Sequence, residues 1–270
     1  MGGDVDERFH ETWLGMVQPS EGLVVSIPVL VEAQCFERHA GDLLGRLAGC
    51  METAADGAPR LGVLSRVCTE FLDYPPDAIT TDLSERRELF VPEGQQIVRA
   101  TGALRDPAEG SDLVLLWDLP HGLDLDKPET VTGPWSYPPV AKFDRLLRHT
   151  AVPIGLVSNG SDVRLVYAPA GEATGTVTFR LADMLTTGGR PILDAFRMLL
   201  CANRLYGVPP ERALPRILAD SRRWQSTVSE RLAGQVFEAA TLLLEGFEDA
   251  GVRDGGAALN AAMLDRKSVV

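Results

Sequence analysis

Residues 138–169 read PPVAKFDRLLRHTAVPIGLVSNGSDVRLVYAP, and the reading of this stretch decides the fold. Val140, Phe143, Leu146 and Leu147 recur at spacings of three and four, the period of an amphipathic helix. Thr150 leads into an apolar strand over 153–158. Asn159 and Gly160 both tolerate the positive φ of a tight two-residue turn, so a second strand over 163–168 is predicted to pair back on the first. The unit is a helix packed on a hairpin.

Outward from this unit, 111–119 (SDLVLLWDL) is nearly continuous in apolar residues and predicts a central strand covered on both faces. A further extended run, 95–105, precedes it across the turn-forming DPAEG, and 174–181 alternates as a half-buried strand. Helices are expected at 6–17, 28–50, 61–72, 191–206, 211–219 and 225–247, and 121–139 reads as a Pro- and Gly-rich surface loop. The expected division is a helical part at 1–86, an α/β core at 87–188, a helical connector at 189–250 and a tail at 251–270. The fold class is α/β with a helical extension.

A chain of 270 residues, 45% of them apolar, can bury a real core. Its net charge of −12 argues against a freely acting binder of nucleic acid or anionic membrane. That charge is uneven: residues 1–138 carry 10 basic and 24 acidic side chains (−14), 139–223 carry 12 and 7 (+5), and 224–270 carry 4 and 7 (−3). Cys35, Cys50, Cys68 and Cys201 form no CxxC, which leaves them as reduced core residues. No stretch has the apolar length of a membrane span, and MGGDVDERFH lacks the features of a signal peptide, so a cytoplasmic location is expected.

Walker, GxGxxG, HExxH and GxSxG motifs are absent. His10, His39, His121 and His149 fall in separate elements and read as scattered. Asp106, Asp112 and Asp118 lie on or between the central strands, where clustered acids can hold Mg²⁺ for phosphodiester cleavage. Turn chemistry accounts for Asp106 and Asp112 without a metal, and Asp118 ends a strand.

Three segments, WLGMVQPSEGLVVSIPVLVEAQ (13–34), KFDRLLRHTAVPIGLVSNGSDVRLVYAP (142–169) and GRPILDAFRMLLCANRLYG (189–207), together resemble the N-terminal region of large restriction–modification adenine DNA methyltransferases. These include type IIG enzymes and the methylases of DISARM-like phage-defence islands. The resemblance spans about residues 10–250. It implies a PD-(D/E)xK restriction-endonuclease-like mixed sheet flanked by helices, closed by the strand–helix–hairpin unit. Aligned on the hairpin and on GLDLD (122–126), the first nuclease acid falls at Thr101 and the E-x-K pair at Trp117 and Leu119, none able to chelate Mg²⁺. A one-residue shift makes Asp118 the acid but leaves Pro120 at the lysine. The implied core is therefore degenerate, with Mg²⁺ needed only if it were active.

The glycine-rich loop and Asn-Pro-Pro-Tyr/Phe motif that bind S-adenosylmethionine and the flipped base are absent, so that cofactor belongs to a methyltransferase part outside this chain. The end, DRKSVV, continues no pattern and reads as a truncated frame. The implied partners are DNA, with Lys142, Arg145 and Arg148 on one helix face and Arg222 and Arg223 as candidate phosphate contacts, and other defence-system proteins; no membrane is implied. The rival expectation is a protein–protein scaffold that docks through the seam of Val228, Leu232, Val236, Ala239, Leu243 and Phe247 and uses no nucleic acid.

Overall fold

The computed structural model describes residues 3–17, 22, 24–36, 41–54, 57–82, 85–129 and 137–253. The chain forms two compact units, Met1–Arg222 and Arg223–Val270. His39 and the tail beyond 253 lie outside the described residues.

The helices α1 (Gly3–Met16), α2 (Ile27–Glu32) and α3 (Leu43–Gly49) open the first unit. The hairpin β1 (Met51–Thr53) and β2 (Pro59–Leu61) follows, then α4 (Leu64–Glu70) and the short strand β3 (Ile79–Thr80). A second hairpin, β4 (Glu88–Val91) and β5 (Gln96–Arg99), stands apart from the main sheet. Next come β6 (Gly102–Arg105), β7 (Asp112–Asp118), α5 (Pro139–Thr150), β8 (Ile154–Ser158), β9 (Asp162–Tyr167) and β10 (Gly175–Arg180). The unit closes with α6 (Leu181–Met184), α7 (Arg190–Leu200) and the start of α8 (Leu214–Arg253).

The main sheet is mixed, in the order β10-β9-β8-β7-β6-β3, with β7 and β8 its one parallel pair. A parallel pair needs a crossover, and α5 supplies it. The apolar run of β7 divides between two cores as a central strand should: Val114 and Leu116 join the larger core with α1–α4 and α7, and Leu115 joins the smaller one under α5. Helices therefore flank the sheet on both faces.

Phe143, Leu146 and Leu147 of α5 are wholly buried against this second core. The helix lies so close to β8 that a Cβ on Gly155 would stand 2.5 Å from the Phe143 ring. Only glycine leaves room there. Ala151, in the left-handed region at φ 57°, ends α5 and turns the chain into the strand.

Several expectations are corrected. The 28–50 helix is two helices, because Gln34 takes a positive φ of 49° beyond α2 and Asp42 recaps the chain by accepting the Gly45 N–H at 2.8 Å. The run 95–105 divides at Ala100 and Thr101, where β5 leaves its hairpin and β6 enters the main sheet. The 174–181 strand is buried on both faces rather than half-buried. Helices 211–219 and 225–247 are one helix, since DSRRWQ between them holds neither Gly nor Pro.

The hairpin is real, but its turn is longer than two residues. Ser158 pairs with Val163, which leaves four residues between them. Gly160 takes φ 81°, while Asn159 works through its side chain: Oδ1 accepts the N–H groups of Ser161 at 3.0 Å and Asp162 at 2.7 Å. An Asx-type turn has replaced the two positive-φ positions.

His10 gives a prediction for the fold. It is wholly buried, and its Nδ1 accepts the Trp13 indole N–H at 3.1 Å, so Nε2 carries the proton in the neutral ring yet has no hydrogen-bond partner. Burial lowers its pKa from 6.5 to about 4, against the opposing charge of Asp6. Between those values the unfolded chain binds a proton that the folded chain refuses, so stability falls as pH drops through the window, by at most about 3 kcal/mol. Urea midpoints measured from pH 7 to pH 4 should fall less steeply in His10→Leu than in the wild type. Parallel slopes would show that His10 titrates normally.

Candidate functional site

The parallel strands β7 and β8 end side by side, with Asp118 opposite Ser158. Ligands of open α/β sheets bind beyond such carboxyl ends. Two clefts open there, one on each face of the sheet. The first, about 260 Å³, is lined by Arg60, Gly62, Asp118, His121, Asn159 and Gly160 among others. The second, about 460 Å³, has Ile97, Arg99, Trp117, Leu123, Glu129 and Lys142 on its walls. Asp118 and Leu119 border both.

Asp118 is held in place by its neighbours. One carboxylate oxygen accepts the Leu64 N–H at the start of α4 at 2.7 Å, and the other accepts the Thr101 hydroxyl at 2.9 Å. Thr101 Oγ1 in turn accepts the Asp118 N–H at 3.0 Å. Burial pushes the Asp118 carboxyl above the usual range, and these two hydrogen bonds oppose the shift. Thr101 thus sits beside Asp118 and presents it a hydroxyl.

The other two aligned positions face the opposite side. Trp117 packs on Phe143 with ring centroids 5.3 Å apart, and Leu119 packs on the second core. Asp118 shares the first cleft with Glu52 and the second with Glu129. Among the described residues no three His, Cys, Asp or Glu side chains gather to hold an ion.

Asp106 and Asp112 do not join Asp118. Asp106 closes its own turn, accepting the N–H groups of Ala108 at 2.7 Å and Glu109 at 3.1 Å. Asp112 begins β7, about 20 Å from Asp118 along the strand, and accepts Arg87 Nε at 2.7 Å and Nη2 at 2.8 Å.

The three cations of α5 have different surroundings. Lys142 is 3% exposed and points into the second cleft, with Nζ 3.2 Å from Glu129 and 3.5 Å from Gln96 Oε1. Arg148 is spent on the chain itself, on Asp144, the carbonyls of Pro169 and Glu172, and Thr174. Arg145 is the exposed member, 3.1 Å from Glu93. The helix face is therefore largely internal. Two of its three cations, Lys142 and Arg148, turn to partners within the chain. Arg222 donates to the Ala173 carbonyl at 2.6 Å, and Arg223 begins the second unit.

No family model, curated protein or solved structure matches the chain. The site's reading therefore rests on its own residues, and some of them escaped sequence reasoning. The β1–β2 hairpin docks on the Asn-Gly turn, its Leu61 N–H donating to the Gly160 carbonyl at 2.8 Å. Gly57, at φ 79° between two three-residue strands, was the available signal. His121 Nδ1 lies 3.0 Å from the Asn159 carbonyl, and Asn159 Nδ2 donates to Leu123 at 2.9 Å. In the GLDLD run, Asp126 grips buried Arg164 of β9 with both carboxylate oxygens. These contacts pin the loop after β7 to the hairpin.

No helix among the described residues is long and apolar enough to cross a membrane.

Proposed function

We propose that this chain is a catalytically silent, restriction-endonuclease-like module of a DNA-modification protein. The parent would be an adenine methyltransferase of the restriction–modification or phage-defence kind, in which the module serves DNA contact or assembly. The observation that carries the reading is the end of β7, where both oxygens of the Asp118 carboxylate are already engaged, by the Leu64 N–H and the Thr101 hydroxyl. The order of elements supports it as well: strand β7, crossover α5, parallel strand β8 and the hairpin into β9 follow one another as the resemblance requires. Two-metal or one-metal cleavage needs several oxygen ligands around the ion. An Asp118 carboxylate with both oxygens already engaged is poorly placed to supply them.

Plasmid DNA incubated with the chain and Mg²⁺ or Mn²⁺ is expected to stay uncut. Divalent-dependent nicking that disappears in Asp118→Ala would overturn the reading. Between its two roles, assembly has the better support, because the cations of α5 are engaged internally and the second unit exposes a long apolar seam. That seam also favours the rival reading, a scaffold without nucleic acid. Binding to duplex DNA that weakens steeply with salt would separate the two.

A further inference from the structure

The second cleft differs from the first in size and in chemistry. At about 460 Å³ it falls within the range of small-molecule sites, while the first, at about 260 Å³, falls below it. Val98, Trp117, Leu119 and Leu123 give the second cleft apolar walls. Trp117 is half-buried, and Phe143 of the core braces it at 5.3 Å between ring centroids. Lys142, its side chain 4% exposed, meets Glu129 at 3.2 Å, and Gln96 Oε1 lies 3.5 Å from the same ammonium.

The charges that line this cleft are already answered. Lys142 faces Glu129, Arg99 donates through Nε to Glu88 at 2.7 Å, and Asp118 has both oxygens engaged. An ionic ligand would have to break into one of these pairs and leave a member unmatched in a part-buried place, which is costly. A neutral ligand leaves the pairs whole. To such a ligand the polar end offers a donor beside an acceptor, the ammonium of Lys142 and the carboxylate of Glu129, and the wall offers an aromatic surface.

We propose that the second cleft binds a neutral planar heterocycle of the nucleobase class, stacked on Trp117 with its hydrogen-bonding edge on Glu129 and Lys142. A nucleobase carries an N–H next to an acceptor atom along its pairing edge, the complement of a carboxylate next to an ammonium, and proteins that hold single bases combine such an edge contact with an aromatic stack. Aromatic hydrocarbons lack the edge, and sugars lack the flat face. Two sources share this chemistry, a free nucleoside and a base turned out of a nucleic-acid strand. The inference rests on the cleft alone and does not depend on the chain's belonging to a DNA-modification protein.

Calorimetric titration of the whole chain with 9-methyladenine is expected to show saturable binding near about 1 mM, an affinity within reach of so small a ligand. The same ring without the amino donor, 9-methylpurine, should bind about tenfold more weakly, because a polar group of the site loses its partner. Trp117→Leu, checked for folding by its urea midpoint, should also weaken 9-methyladenine about tenfold. Should that variant fail to fold, 8-azidoadenosine irradiated with the wild type should label the peptides holding 96–99 or 117–123. Displacement of 9-methyladenine by oligo-deoxyadenylate would identify the ligand as a base carried on a strand, and saturable binding without displacement would identify a free nucleoside. No saturable binding up to about 10 mM, equal affinity for the two purines, undiminished binding by folded Trp117→Leu, or photolabel confined to other peptides would each overturn the site.

Discussion

Asp112→Ala is expected to lower the unfolding free energy by about 3 kcal/mol, the lower end of the cost of breaking a buried pair, because Asp82, 3.6 Å from Arg87, keeps part of the counter-charge. The Arg87 side chain is 6% exposed, and Asp112 meets it with both oxygens. Alanine removes the carboxylate and leaves the guanidinium in place, where water cannot replace what was lost. Loss of the pair also frees the turn Glu85–Arg87 from the start of β7. Replacing both partners together, as Arg87→Met with Asp112→Leu, should recover most of the loss, because two apolar groups of similar size need no counter-charge. Urea denaturation reads both. A loss below about 1 kcal/mol in Asp112→Ala is what a solvent-screened surface pair would give, and it would contradict the burial of Arg87. The same measurement bears on function, since a carboxylate kept for a guanidinium is not waiting for a metal.

Gly155→Val should be as damaging, at about 3 kcal/mol, the upper range for overpacking a core. The added Cβ would stand 2.5 Å from the Phe143 ring and 2.9 Å from a methyl of Leu147. Neither can retreat, because both are wholly buried. Strand and crossover helix would have to separate, and the carboxyl ends of β7 and β8 would move with them. Coupling to Phe143 gives the internal control: Gly155→Ala with Phe143→Leu should cost less than the two single changes added together, since the smaller side chain makes the space that the methyl needs. Strict additivity in the denaturation midpoints would mean that α5 rides higher on the sheet than described.

The parts of this fold that were legible in the sequence are those where one physical signal dominates. The unbroken apolar run 113–117 had to be a central strand, and the spacing of Phe143, Leu146 and Leu147 had to be a helix facing inward. Polar residues were read less well. Lys142 looked like a surface cation because lysine usually is one, yet Glu129, across a loop with no periodicity, turns it inward. Residues 95–105 looked like one strand because propensity is blind to which sheet a strand joins. The division at Thr101 follows from a long-range bond, its N–H donating to the Leu116 carbonyl at 2.8 Å. Asp118 was among the candidate acids, but its partnership with Thr101 and the Leu64 N–H depends on three distant segments meeting. Spacing along the chain cannot supply that.

Helix α1 and the segment after it are built into the first unit by its last elements. Trp13 stacks on Phe179 of β10, and the Ser26 N–H donates to the Ser221 hydroxyl, 195 residues away in the chain. At a ribosomal pace of about 5–20 residues per second, the first apolar side chains wait on the order of ten to forty seconds for the surface that will cover them. During translation β10 has its neighbour β9 while its covering helix is still unplaced, and a bare strand edge invites pairing with other chains. Slow elongation lengthens that exposure and with it the risk of aggregation before Ser221 emerges, so faster elongation or a holding chaperone should raise the folded yield.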